Sequence, residues 1–405
     1  MAETKVPLRV SLLVISFVPL FLAIGLLQVV ISAWLPTVGF TAVQVGLLIT
    51  IQGIFAIATA IPLGIVSDVY GRKLLLVSSA FAGTCGLVVF GLTTNFLLLV
   101  FASGILGYAE GASVTTWNAL LADMTDASNR NKVFSLSFVM ITIASGVGLA
   151  LPGAFPYLEA LLSASSYEVH RGALLVLGST SVVTPAMAFL LLRGHKETHN
   201  PAHKWGGLKN ASTLAKLGFV GSTIGFGAGF IIPLIGTWFL YRFNVGDSYS
   251  GPVLAVSSIL VGLAAFASPR LAVRFGQMMA IMLAMGSSMA FMLAMAFLPN
   301  VWVAAAFYIV RSGLMNMASP LLDSFSMSIF PAEQRGLVSG LTNIMFRLPN
   351  SVSTYFGGYI LGVGLLQLPF FIASALYVVG IVGFFVFFIA GKGEVASTSI
   401  STSMS

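Results

Sequence analysis

The sequence has very little charge. Asp, Glu, Lys and Arg make up 8% of its 405 residues, while 58% are hydrophobic. A soluble globular domain carries about 25% charged residues, so a fully water-facing surface is excluded. There is one cysteine, Cys85, inside an apolar run, which excludes an intramolecular disulfide and a cysteine-based metal cluster. No GxxxxGK[ST] loop occurs, and no polar stretch is long enough for a nucleotide-binding domain, which argues against ATP-driven chemistry. The apolar runs lack the period-2 alternation of barrel strands. Histidine is rare as well: all four are read as loop residues, so no catalytic constellation is expected within the apolar segments, and neither enzyme activity nor a cofactor is expected.

What remains is an all-α membrane protein. Apolar stretches broken by charge or by Pro, Gly and Asn clusters predict twelve transmembrane helices, near residues 9–36, 42–67, 73–94, 96–123, 133–156, 171–192, 211–239, 249–268, 277–298, 301–328, 336–361 and 366–390. The first run is too long for the apolar part of a signal peptide and is read as a span. With the N-terminus placed in the cytoplasm, inside segments collect Lys5, Arg9, Arg72, Lys73, Arg130, Lys132, Arg193, Lys196, Lys204, Lys209, Lys216, Arg270, Arg274, Arg335 and Lys392. Outside loops hold Arg171 and Arg242. The asymmetry predicts both termini inside and explains the net charge of +7 as topology, so nucleic acid is not an expected partner.

Shifting the second half onto the first by 205 positions aligns Tyr70-Gly71 with Phe275-Gly276, Asn129-Arg130 with Gln334-Arg335, and Gly153 with Gly358. With a one-residue slip Trp34 also meets Trp238. The expected organisation is an N-terminal six-helix bundle (1–192), a cytoplasmic linker (193–210), a C-terminal six-helix bundle (211–391) and a disordered Ser/Thr-rich tail (392–405). Two parallel, pseudo-symmetric halves are the architecture of a transporter that rocks about a central site.

The segment Gly64-Ile-Val-Ser-Asp68-Val-Tyr-Gly71-Arg72-Lys73 resembles motif A of the major facilitator superfamily, in its drug/proton antiporter-like branch. In physical terms, Gly64 permits close helix approach, Gly71 permits a tight turn, and Asp68 and Arg72 stay hydrated at the boundary. The resemblance implies that Asp68 faces the N-terminus of the eleventh span, that Arg72 pairs with Asp123, and that Arg130 joins them in a cytoplasmic gate. The second copy has decayed: Asp68 maps to Val273 and Arg72 to Gln277. The family's fourth-span Arg is Ser103 here, and the fifth-span antiporter pattern is partial, with Gly146, Gly148, Pro152 and Gly153 but no Gly-Pro pair.

Four ionisable residues fall well inside spans: Glu110, Arg311, Asp323 and Arg347. A charge at the bilayer centre costs at least about 2.5–3.5 kcal/mol on insertion scales, which marks such residues as functional candidates. Glu110, with Asp323 second, is the candidate for proton coupling. Arg311 and Arg347 either hold an anionic substrate in guanidinium forks or neutralise Asp323 and Glu110. Gln28, Trp34, Gln52, Asn118, Trp238 and Asn316 are candidates to complete the cavity. His195, His199 and His203 recur every four residues, but Pro201 interrupts the helix that would align them, so they are read as solvated linker rather than a metal site.

The expectation is a secondary active transporter moving a small organic solute by alternating access, with proton-coupled efflux first and proton-coupled uptake of an organic anion second. A non-transporting membrane sensor is the reading from another class. The expected partners are a small-molecule substrate, protons and the lipid bilayer, with the protein a monomer in the plasma membrane of a prokaryote.

Overall fold

The computed structural model describes residues 6–126, 129–194, 210–331 and 334–390, excepting the side chains of residues 68–70 and 265. The linker histidines and the Ser/Thr-rich tail lie outside the described residues, as does the Asp68 side chain. Among the described residues every regular element is helical. Eleven spans are long and apolar enough to cross a membrane. Their helices are α1 (Leu8–Val38), α2 (Ala42–Tyr70), α3 (Arg72–Leu92), α4 (Phe96–Asp123), α5 (Arg130–Leu162), α6 (Ser166–Leu192), α7 (Ala211–Phe243), α8 (Asp247–Phe275), α9 (Gln277–Met295), α10 (Val301–Ile329) and, named here out of chain order, α12 (Leu368–Ala390). The twelfth, α11 (Arg335–Gly362), is equally long, but Asn343, Arg347, Asn350, Ser351, Ser353 and Thr354 make it the most polar. At about 1.5 Å per residue even the shortest, α9 with 19 residues, spans roughly 28 Å, close to a hydrocarbon core of about 30 Å.

The internal repeat is visible in the helix starts. Ala42, Arg72, Phe96 and Arg130 begin α2 to α5, and Asp247, Gln277, Val301 and Arg335 begin α8 to α11, each pair 205 positions apart. The local reasons recur with the same offset. Gly71 and Gly276 turn the chain at φ 100° and 78°, a left-handed region that a side chain disfavours. Asn95 Oδ1 accepts from the backbone N–H groups of Leu97 (3.0 Å) and Leu98 (3.3 Å), and Asn300 Oδ1 from Trp302 (2.8 Å) and Val303 (3.3 Å), capping α4 and α10 alike. The fold is thus all-α, with twelve spans in two pseudo-symmetric sets of six.

The chain clusters into two compact units: residues 1–205 with 235–256, and residues 206–234 with 257–405. In the first, α1 packs on α5 and α2 on α4; in the second, α7 packs on α11 and α9 on α10. Glycine sets how closely these helices approach. A Cβ on Gly25 would enter the Ser145 carbonyl, one on Gly148 the Leu22 carbonyl, and one on Gly225 the Phe346 carbonyl. Small residues at such crossings let backbones touch, which drives association where both helix faces are already apolar.

Two expectations require correction. The fifth and sixth spans do not stop at 156 and start at 171: α5 continues to Leu162 through a 3-10 turn at Leu151–Ala154, and α6 starts at Ser166. A capping box, in which Ser165 Oγ accepts from Glu168 N and Glu168 accepts from Ser165 N, starts α6 within a stretch too polar to be read as span. His170 is consequently a buried helical residue, not a loop residue. Gly64 is also not a point of close approach, since a Cβ there would meet Thr115 at an ordinary 3.8 Å. Gly107 and Gly111 on α4 hold that crossing, against Gln52, Phe55 and Ala56 of α2.

Gly148→Ala is therefore expected to lower thermal stability in detergent by the cost of overpacking, about 1–3 kcal/mol. Gly286→Ala in α9, where a Cβ meets nothing within 4 Å, should leave the melting temperature unchanged or slightly raised. Equal shifts in the two variants would show that helix approach at Gly148 does not matter.

Candidate functional site

In the first unit the candidate residues gather along α4. Glu110 is half-buried near the middle of the helix, beside Gly107 and Gly111 where α4 touches α2. One heptad earlier Ser103 is fully buried, and its Oγ has no hydrogen-bond partner. One heptad later Trp117 packs at a tilt against Phe17 (centroids 4.5 Å apart) and donates from Nε1 to Ser137 Oγ at 2.8 Å, tying α4 to α1 and α5. A third face of α4 meets α3 through Tyr108 Oη and Ser78 Oγ (2.9 Å) and through Ser113 and Ser79 (2.9 Å). These hydroxyl pairs had no signal in the sequence beyond being serines and a tyrosine in apolar runs.

At the end of α4 the expected pair is formed. Arg72 Nη1 donates to Asp123 Oδ2 at 2.5 Å and reaches the Ala119 carbonyl at 3.4 Å. Arg130 does not join them: its Nη2 donates to the carbonyls of Ala122 and Thr125, both at 3.3 Å, satisfying the open end of α4. The repeat reproduces that second role, with Arg335 Nε on the Phe330 carbonyl at 3.3 Å. It reproduces the first without charge, since Gln277 Nε2 donates to the Leu321 carbonyl at 2.9 Å.

In the second unit Arg311 is 4% exposed. Its Nη2 donates to Tyr377 Oη of α12 at 2.7 Å, its guanidinium carbon lies 6.0 Å from that ring's centroid, and its Nε has no partner. Its position on α10 thus directs the Arg311 guanidinium to α12. Arg347 is exposed on α11 and Asp323 exposed on α10, one turn past Pro320. Asn316 is half-buried, its amide on the Ser312 carbonyl at 2.9 Å.

Of the remaining cavity candidates, Gln28 and Asn118 are exposed and Gln52 is half-buried, whereas both tryptophans are packed away. Trp34 is 3% exposed and stacked on His170, and Trp238 is 1% exposed between Phe239 and Phe243. His170 and Asp247, joined Nε2 to Oδ2 at 2.5 Å, were not singled out from sequence. Their neighbours in the chain, Glu168, Arg171, Ser248 and Tyr249, are those of an ordinary polar loop.

Twelve spans repeated as two sixes, with ionisable side chains held inside them, define a membrane transporter rather than an enzyme. The model described as Major Facilitator Superfamily matches residues 13–354, and the chain belongs to that superfamily. It is 26% identical over 313 residues to the class C tetracycline resistance protein of Escherichia coli, covering 73% of this chain and 74% of that one. It is also 26% identical over 318 residues to the class H tetracycline resistance protein of Pasteurella multocida, covering 75% and 76%. Among solved structures it resembles a mutant of the nucleoside transporter NupG, with a TM-score of 0.74 and 16% identity over 94% of this chain and 100% of that one. A bacterial homologue of the human lysosomal transporter Spinster gives 0.72 and 14%, covering 95% and 97%.

The Arg311–Tyr377 contact gives a stability prediction. Tyr377→Phe strands a buried cation and should cost about 1.5–3 kcal/mol, the value of a hydrogen bond to a charged group. The double variant Arg311→Met with Tyr377→Phe should recover most of that loss, since an apolar pair replaces a costly charge. Thermal unfolding in detergent reads both, and a double variant no better than Tyr377→Phe would contradict the assignment.

Proposed function

We propose that this transporter exports a small organic solute in exchange for protons. The observation that carries the reading is Glu110, a carboxyl half-buried near the middle of α4, beside the glycines at which that helix closely approaches α2. A group at that depth loads and releases a proton as access to it changes from one side to the other. Two relatives named for tetracycline resistance support the direction, because a transporter confers resistance by moving the compound out. The organic-anion reading is weakened by Arg311, whose guanidinium is turned to Tyr377, leaving Arg347 as the exposed arginine of the pair.

In this scheme Arg72 and Asp123 latch the cytoplasmic end while the site is open to the outside. Asp323, exposed on α10, is the second candidate for proton coupling. Gln28 and Asn118 in the first unit, and Asn316 and Arg347 in the second, are the candidate polar contacts to solute, with Trp34 and Trp238 as candidate apolar ones. The excess of Lys and Arg at the end bearing Arg72 supports cytoplasmic termini in a bacterial or archaeal plasma membrane. The acting unit is a monomer.

The test uses proteoliposomes with an imposed pH gradient and labelled tetracycline, followed by a panel of organic cations and anions. Gradient-driven movement is expected in the parent and should fall about tenfold or more in Glu110→Gln, while exchange of labelled for unlabelled solute without a gradient is retained. Exchange in the parent that ignores the gradient would overturn proton coupling, and binding without exchange would make the protein a sensor.

A further inference from the structure

In the first unit three cations converge on the last turn of α6, at the end that bears the Gly71 turn. α6 packs there against α1 and α3. From α1, Arg9 Nη2 donates to the carbonyl of Arg193, the residue just past α6, at 2.9 Å. From α3, Lys73 Nζ lies 5.5 Å from the centroid of the Phe189 ring. Phe189 and Arg193 are four positions apart, so they share one face of α6 at a spacing of roughly 6 Å.

The helix end accounts for part of this charge. Arg9 caps an open carbonyl of α6, where the helix dipole favours a cation. That role uses one guanidinium. Arg193 is exposed, and neither it nor Arg9 has a carboxylate partner among the described residues. Asp123, the acid at the corresponding end of α4, is taken by Arg72. Like charges gathered where the helix leaves hydrocarbon are less screened than in open water, so the corner is complementary to an anion.

The apolar surface beside the cations decides which anion. Counting back from Arg193, the exposed residues Phe189, Ala186 and Val182 follow at spacings of four, three and four. They form one outward strip along α6, about 16 Å long by helix rise. Leu74, next to Lys73 on α3, is exposed as well. A free phosphate ion gains nothing from such a strip, whereas a hydrocarbon chain packs along it. The corner therefore matches a molecule with an anionic head and an apolar tail.

We propose that this corner of α1, α3 and α6 is a binding site for an anionic phospholipid, its phosphodiester among Arg9, Lys73 and Arg193 and an acyl chain along Phe189, Ala186 and Val182. The guanidinium forks bond phosphate oxygens in pairs, and the ammonium acts as a point charge. One headgroup then bridges three helices, so its binding stabilises the unit. A zwitterionic headgroup brings its own cation into the corner and is bound less well. The second unit has a related contact without the two arginines: Lys216 of α7 lies 5.9 Å from the Phe387 ring of α12. The site needs a bilayer but neither proton coupling nor a direction of transport, so it stands or falls separately from the exporter reading.

Thermal unfolding of the full chain in a nonionic detergent tests the site, with phosphatidylglycerol, phosphatidylcholine of the same acyl chains, or inorganic phosphate added in steps. Phosphatidylglycerol should raise Tm saturably, and the other two should leave it unchanged. Lys73→Gln and Arg193→Gln should each raise the half-saturating phosphatidylglycerol concentration about fivefold, the contribution of one cation near a membrane surface. Arg193→Lys should restore most of that loss. Lys216→Gln, which removes the same charge from the second unit, should leave the concentration unchanged. Arg193→Gln removes no side-chain hydrogen bond among the described residues, so its lipid-free Tm should match the parent's. Three results would overturn the proposal: equal stabilisation by phosphatidylcholine, which means apolar solvation alone; a saturable rise with inorganic phosphate, which means a free-anion site; or the same loss in Lys216→Gln as in Arg193→Gln, which means diffuse attraction of charge. Unchanged half-saturation in both Lys73→Gln and Arg193→Gln would do so as well.

Discussion

A polar group in hydrocarbon has no water to fall back on, and this constraint organises both units. Side-chain hydroxyls bond to carbonyls of their own helix, as Thr116 does to Ala112, or of the next one, as Thr184 does to Ser16 and Ser222 to Met345. Arg311 lies against Tyr377 and His170 against Asp247 for the same reason. Glycine is the other half of the solution. With no hydrophobic drive between two apolar helices, attraction comes from contact, and Gly25, Gly107, Gly148 and Gly225 allow contact at the level of the backbone.

The two repeats have kept what the backbone needs and diverged in what chemistry needs. Gly71 and Gly276 keep their positive φ, Asn95 and Asn300 their caps, and Arg130 and Arg335 their carbonyl contacts. The charged pair Arg72–Asp123 has become an amide on a carbonyl at Gln277. An amide donates to a carbonyl as a guanidinium does, but it cannot form an ion pair, so the second repeat keeps the contact and loses the charge.

Much of the architecture was legible. Apolar run length, the bias of Lys and Arg and the 205-residue offset are each one-dimensional signals, and the helix starts reproduce the offset four times. The site was legible only where a motif carried it, as at Arg72 and Asp123. Arg311 was recognisable as a buried charge but not by its partner, since Tyr377 is 66 positions away and looks like any aromatic in an apolar run. His170 was misplaced because the capping box that makes its segment helical is built from Ser165 and Glu168, which also read as loop.

By itself the sequence determined a membrane-spanning, all-helical, duplicated chain, because hydropathy, charge bias and repeat offset are summed along the chain and need no knowledge of which faces meet. Only the tertiary structure decided that Gly107 rather than Gly64 holds a helix crossing, that Arg311 turns to an aromatic hydroxyl, and that a histidine and an aspartate 77 positions apart share a buried contact. Those are decisions about which face of a helix meets which neighbour. In spans that are apolar on every side, the hydrophobic pattern along the chain does not distinguish one face from another.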